Sequence, residues 1–277
     1  MNGPDAFAHT ERMKRQRQAR SPEGAAPVIP RRPKGIYVLP SLFTTANLFA
    51  GFYAIVAAMN GEFGLAPLAI FVAMLLDALD GRVARITHTE SEFGLQYDSL
   101  VDMVSFGLAP ALVMYEWALG GLGKLGWLAA FIFVAGAGLR LARFNVQHGA
   151  AASDKRYFRG LPSPSAAGLV VGFVWVLHAA GVPGPDVAVP ALLITVLGGA
   201  LMVSNIRYRS FKDFDVRGRV PFVAILALPL VFVLIFLDPP QVLFGIFFVY
   251  ALSGPVLVGA RLLRRSREQP ADRRPPA

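Results

Sequence analysis

The chain has 277 residues, of which 55% are hydrophobic and only 16% charged, a charge content too low for an ordinary soluble domain of this length. It contains no cysteine, which excludes disulfides, a thiolate nucleophile and Cys-ligated zinc or iron–sulfur centres. The formal net charge of +9 suits either nucleic acid or a membrane surface, and the placement of the basic residues decides between them.

Residues 1–35 are polar, basic and proline-containing without periodicity, and read as a disordered cytoplasmic arm. The apolar stretch that follows is too long for the h-region of a cleaved signal peptide. Stretches able to cross about 30 Å of hydrocarbon then run over 36–60, 63–82, 97–119, 125–145, 165–182, 187–206, 220–237 and 242–263. The expected fold is therefore an all-α, polytopic membrane bundle of about eight transmembrane helices. Its domain organisation is an arm (1–35), a membrane-embedded domain (36–263) and a basic cytoplasmic tail (264–277). With the N-terminus in the cytoplasm, only Lys124 of the 27 basic residues falls on the far side, as the positive-inside rule requires. Both termini and the longer, more polar loops then face the cytoplasm, and any chemistry belongs there. No internal repeat is visible, and the Gly168–Gly172 step in the fifth stretch reads as close packing within one chain.

The chemistry is concentrated between the second and third stretches. Asp77, Asp80, Gly81, Ala84 and Arg85 occur at helical spacing, followed after eight residues by Gly94, Asp98 and Asp102. At about 100° per residue each set falls within one arc of its helix, and the short linker makes the helices antiparallel neighbours, so all four carboxylates can meet. An aspartate at a helix centre in the membrane costs about 2.5 to 3.5 kcal/mol, and four together repel unless cations or protons neutralise them. All-oxygen donors suit Mg²⁺ or Mn²⁺. Gly81 and Gly94 leave room for a phosphate or nucleotide to reach the backbone. Two other readings compete: carboxylates salt-bridged to Arg82, Arg85, Arg140 or Arg143, and a proton relay in a cation or proton transporter.

The pattern D-x-x-D-G-x-x-A-R, eight residues, G-x-x-x-D-x-x-x-D is the signature that this chain shares with the CDP-alcohol phosphatidyltransferase family, which it therefore resembles at every fixed position. The resemblance implies a transferase that moves a phosphatidyl group from a CDP-linked donor to an alcohol and releases CMP. By that likeness Asp77, Asp80 and Asp98 ligate two metal ions, Mg²⁺ or Mn²⁺. Asp102 completes the metal site and acts as general base, and Gly81, Ala84, Arg85 and Gly94 line the CMP and diphosphate pocket. Similar text at 39–48, 93–111, 140–145, 160–164 and 201–208 resembles the branch of the family that takes CDP-diacylglycerol and L-serine. Sister members use glycerol 3-phosphate or inositol phosphate, and relatives are commonly homodimers. One departure is Ser41, where relatives often carry Asn; Asn47 remains available as a polar group for substrate.

Further candidates for substrate binding lie around this core. Arg140 and Arg143, at the cytoplasmic end of the fourth stretch, suit a donor phosphate or the carboxylate of serine, or serve as positive-inside anchors. Ser105 lies one turn beyond Asp102 and either contacts substrate or bonds to its own helix. Arg207, Arg209 and Lys212 suit lipid headgroups, and His148 reads as a solvated loop residue.

Overall fold

The computed structural model describes residues 38–87, 91–148, 157–209 and 222–268. The expected arm at 1–35 and most of the C-terminal tail lie outside the described residues, as do Lys155, Arg156 and Lys212. The helices in chain order are α1 (Val38–Met59), α2 (Leu65–Thr87), α3 (Glu92–Asp102) and α4 (Ala109–Met114). They continue as α5 (Lys124–His148), α6 (Ser163–Ala179), α7 (Ala188–Val203), α8 (Phe222–Leu237) and α9 (Pro239–Glu268). Between α3 and α4 the chain does not leave the helix: π-helical turns at Met103–Leu108 and Tyr115–Leu119 join them into one rod from Glu92 to Leu122.

Among the described residues, five segments are both long and apolar enough to cross a membrane: Ser41–Met59, Glu92–Leu122, Lys124–Val146, Gly184–Val203 and Pro239–Ala260. α6 is a shorter apolar helix. The remaining two expected spans are also helices. α2 carries Asp77, Asp80, Arg82 and Arg85 in its second half, which lowers its apolarity where the candidate site lies. α8 has 16 residues, about 24 Å of helix. The protein is thus an all-α, multi-pass membrane bundle. Its outer surface carries the residues a soluble fold would bury, such as Phe49 at 70% and Phe236 at 83% exposure, because lipid rather than water is the neighbour.

Helix ends extend beyond the apolar stretches, since polar helix formers continue the hydrogen-bonded spiral after hydrophobicity stops. α2 runs to Thr87, α9 runs to Glu268, and α3 starts at Glu92, where the Ser91 side chain accepts the Gly94 N–H at 3.0 Å as N-cap. His148, expected in a loop, is the last residue of α5. α1 and α6 both stop in Schellman turns. Gly61 (φ 78°) donates to Ala58 O and Glu62 to Ala57 O, both at 2.9 Å. Gly181 (φ 74°) donates to His178 O at 3.0 Å and Val182 to Leu177 O at 2.9 Å.

Packing depends on small residues. α1 and α2 meet through Ala54, Ala57 and Ala58 on one side and Ala66, Ile70 and Ala73 on the other, all fully buried or nearly so. A Cβ on Gly136 of α5 would stand 2.6 Å from the Gly199 carbonyl oxygen of α7, so the two backbones touch. Gly168 and Gly172 of α6 face Phe247 and Phe244 of α9, where added Cβ atoms would come within 2.6 and 3.1 Å. That is helix packing within one chain, as expected for this step. One addition to the helical fold is not foreshadowed by any pattern in the sequence: a two-stranded antiparallel ladder of β1 (Tyr157–Arg159) and β2 (Arg207–Arg209) with Phe158 opposite Tyr208. It ties the α5–α6 connection to the segment after α7, helped by Gly160 N–H to Ile206 O at 2.8 Å and Leu161 N–H to Leu201 O at 3.0 Å.

The Gly136–Gly199 crossing yields a direct test. Gly136→Ala is expected to cost about 1–3 kcal/mol by overpacking and to lower the detergent-solubilised Tm. Gly64→Ala, where nothing lies within 4 Å of the added methyl, is expected to leave it unchanged.

Candidate active site

The second half of α2 and the whole of α3 bring the signature carboxylates together. One oxygen each from Asp77, Asp98 and Asp102 fall within 4.8 Å of one another, and all three residues are half-buried. Asp77 and Asp102 approach to hydrogen-bonding range across the helix pair. Asp80, only 5% exposed, adds its charge to the field felt by Asp77, Asp98 and Asp102. It is held by the Thr44 hydroxyl of α1 and the backbone at Gly81.

Three of these oxygens, Asp80 Oδ2, Asp98 Oδ1 and Asp102 Oδ1, are buried and accept no hydrogen bond. A buried acceptor without a donor carries a desolvation penalty of about 1–3 kcal/mol, more when charged. Three converging carboxylates, Asp77, Asp98 and Asp102, with Asp80 beside them and unused lone pairs on Asp80, Asp98 and Asp102, suit a hard divalent cation, and the residues present fit such an ion.

Among the described residues, Arg85, Arg140 and Arg143 hydrogen-bond to groups other than these carboxylates. Arg85 turns its Nε back to the Gly81 carbonyl of its own helix at 2.7 Å. Arg143 donates to Asn205 Oδ1 at 2.8 Å, beside the start of β2. Arg140 donates to Ser163 Oγ at the first residue of α6, at 2.6 Å, and is the arginine that feels the Asp102 charge. Arg140 and Arg143, paired in the sequence reading, thus have different neighbours: Ser163 of α6 for Arg140 and Asn205 for Arg143.

The glycines separate as well. A Cβ on Gly81 would meet nothing within 4 Å, so the α2 backbone there borders open space, with Ala84 half-buried one turn on. A Cβ on Gly94 would lie 3.1 Å from Ser91 Oγ. Gly94 therefore also serves the N-cap of α3.

Asn47 of α1 is fully buried and both polar atoms of its side chain lack a hydrogen-bond partner. Ser105 bonds neither to its own helix nor outward. It is fully buried, and its hydroxyl donates to the Asn47 carbonyl oxygen at 3.2 Å. Gly51, one turn after Asn47, has Ser105 where its own side chain would be. Ser105 thereby seats α1 against the π-helical turn that follows Asp102. That turn has a local cause: Pro110 has no N–H for the Phe106 carbonyl, and Ala109 donates to Val104 O five residues back, the wider spacing of a π turn.

Sequence reasoning missed Thr44, Ser163 and Asn205. Thr44 precedes Asn47 by one residue less than a full α-helical turn and so shares its face, a signal the sequence did contain. The other two are brought in by tertiary pairing alone.

The sequence profile of the CDP-alcohol phosphatidyltransferase family matches residues 37–206, from α1 to the residue before β2. Similar proteins are named CDP-diacylglycerol–serine O-phosphatidyltransferase. One from Helicobacter pylori (strain ATCC 700392 / 26695) is 37% identical over 217 residues, 78% of this chain and 90% of its own length. One from Methanocaldococcus jannaschii is 33% identical over 178 residues, 64% of this chain and 77% of its own. One from Saccharomyces cerevisiae is 37% identical over 147 residues, 49% of this chain and 52% of its own. The converging carboxylates, the profile match and the extent of these similarities together establish that the chain is a membrane-embedded transferase belonging to the CDP-alcohol phosphatidyltransferase family.

Proposed function

We propose that this enzyme transfers the phosphatidyl group of CDP-diacylglycerol to the hydroxyl of L-serine, giving phosphatidylserine and CMP. The observation that carries the reading is the meeting of Asp77, Asp98 and Asp102 within 4.8 Å, beside buried Asp80. The names of the similar proteins support the choice of donor and acceptor.

Asp77, Asp80 and Asp98, completed by Asp102, would hold two Mg²⁺ or Mn²⁺ ions. When bound, such a pair supplies charge that polarises the phosphoryl oxygens and stabilises the departing phosphate. The chain's own residues do the rest. Asp102 takes the proton from the serine hydroxyl as general base. The serine oxygen forms a bond to the phosphorus that bears diacylglycerol, the bond from that phosphorus to the oxygen bridging to CMP breaks, and CMP leaves with the electron pair. Arg140, on which the Asp102 charge acts, would receive the carboxylate of serine. Gly81, Ala84, Arg85 and Gly94 would line the pocket for the CMP moiety and diphosphate. Asn47 offers the unpaired amide of α1 to the bound substrate. Arg143, tied to Asn205, orders the inner end of α5 rather than binding substrate directly. The site faces the cytoplasm in this reading, with the lipid tails entering sideways from the bilayer.

An acceptor bearing a phosphate, such as glycerol 3-phosphate or inositol phosphate, calls for several cationic groups at the cluster. Arg140, on which the Asp102 charge acts, would supply one such group, the smaller demand of an amino-acid carboxylate.

Purified protein in detergent is expected to release CMP from CDP-diacylglycerol only when both L-serine and Mg²⁺ or Mn²⁺ are present. Release with glycerol 3-phosphate or inositol phosphate in place of serine would refute the acceptor. EDTA is expected to abolish turnover and re-addition of the ion to restore it. Asp102→Asn is expected to reduce kcat by about 10³-fold with the Tm retained, and near-parental kcat would remove Asp102 as base.

A further inference from the structure

α3 carries two of the four carboxylates, yet apolar packing holds it only lightly: among its described residues Val101 alone is buried. Polar contacts to two other helices flank Asp98 instead. On one side the Tyr97 hydroxyl stands 3.1 Å from Thr45 Oγ1 of α1. Thr45 gives its own proton to Ser41 O at 2.7 Å, so Tyr97 is the donor of that pair. On the other side Asn145 Nδ2 of α5 donates to Ser99 Oγ at 3.1 Å, with Asn145 Oδ1 3.3 Å from the same oxygen, and the Ser99 hydroxyl donates to Leu95 O at 3.0 Å. At about 100° per residue Tyr97 and Ser99 lie about 200° apart around the helix, and Asp98 lies midway between them. α3 is thus held from nearly opposite sides, and Asp98 faces between the two holds, where its oxygen meets those of Asp77 and Asp102.

We propose that Tyr97 and Ser99 are positioning residues: through Thr45 and Asn145 they fix the rotation of α3, and with it the direction in which Asp98 offers its carboxylate to a divalent cation. The inference rests on the metal-holding reading above and deepens it. Asp98 Oδ1 is buried and accepts no hydrogen bond, so the aim of that oxygen depends on the helix that carries it. Without a cation the clustered carboxylates repel one another, and a helix with one buried residue has little apolar contact to resist being turned. The two flanking hydrogen bonds supply that resistance from helices on either side. A cage of ligands aimed before the ion arrives loses less order on binding it. Groups that hold a metal ligand in place without touching the ion typically change its affinity by about 10–100-fold when removed. Contacts made by the neighbours of the ligand in the chain, as here, belong at the lower end of that range.

The test is Mn²⁺ binding to the full chain in detergent, without substrate, read from the electron paramagnetic resonance signal of free Mn²⁺. Parent, Tyr97→Phe, Asn145→Leu, Ser99→Ala, Ser99→Thr and the double variant of Ser99→Ala with Asn145→Leu are compared. If the parent binds no Mn²⁺, the metal reading fails and this inference falls with it, a result seen before any variant is measured. Given that binding, Tyr97→Phe, which keeps its ring stacked on Phe93, is expected to raise Kd for Mn²⁺ about tenfold, as are Asn145→Leu and Ser99→Ala. Ser99→Thr, which keeps the hydroxyl, is expected to hold the parental Kd. The double variant is expected to exceed either single by less than about twofold, since the two residues share one contact. Tm in EDTA is expected to stay near the parental value, and KM for L-serine at saturating Mn²⁺ within about twofold of it. A Kd within about twofold of the parent in Tyr97→Phe or Asn145→Leu would overturn the assignment. So would an equal rise in Ser99→Thr and Ser99→Ala, additive effects in the double variant, an equal rise in KM for serine, or loss of the thermal transition in Tyr97→Phe.

Discussion

The constraint on which the rest of the structure depends is the gathering of Asp77, Asp98 and Asp102, with Asp80 beside them, inside an apolar bundle. Such a group is tolerable there only when cations or protons meet its charge, and the helix pair α2–α3 brings oxygens of the three within 4.8 Å of one another. The surrounding architecture keeps that pair fixed. α1 packs on α2 through alanines, supplies Thr44 to Asp80, and receives Ser105 from the turn after Asp102. Without that support, mutual repulsion among the carboxylates would drive the helices apart.

The outer helices extend the same logic. α5 presents Arg140 to the start of α6 and Arg143 to the α7–β2 junction, and the strand ladder then joins the ends of the two connections. Close backbone approach at Gly136, Gly168 and Gly172 substitutes for the hydrophobic driving force that lipid does not provide between helices. The apolar exterior is a consequence of solvent, and its exposed phenylalanines need no partner protein to explain them.

Much of this was legible in the sequence, for a physical reason. Runs of apolar residues long enough to cross hydrocarbon have few alternative folds, and ionisable residues within them are too costly to be incidental. The helical spacing of Asp77 and Asp80 and of Asp98 and Asp102 therefore predicted their convergence. What escaped notice depends on tertiary contacts. Ser163 and Asn205 are ordinary polar residues until α5 brings Arg140 and Arg143 to them. The β1–β2 ladder is three residues on each side, too short to show an alternating pattern. Ser105, one turn beyond Asp102, suits substrate or its own helix in the sequence, and its hydrogen bond to the Asn47 carbonyl oxygen of α1 comes from tertiary packing. Helix limits moved because capping at Ser91, not hydrophobicity, decides where α3 begins.

The π turn at Met103–Leu108 carries a consequence for how such a chain can vary over evolutionary time. A π turn is in effect one residue more than a straight α-helix would use over the same rise. Upstream of it stands Asp102, whose facing is set by the cluster; downstream stand Pro110 and the buried face of α4, whose facing is set by the core. Removing or adding one residue between them would rotate one half against the other by about 100°, turning either the carboxylate or the core face the wrong way. Substitutions in this stretch change only side chains, while a change in its length breaks the phase between chemistry and packing. Descendants of this sequence are thus free to drift in composition here but not in count.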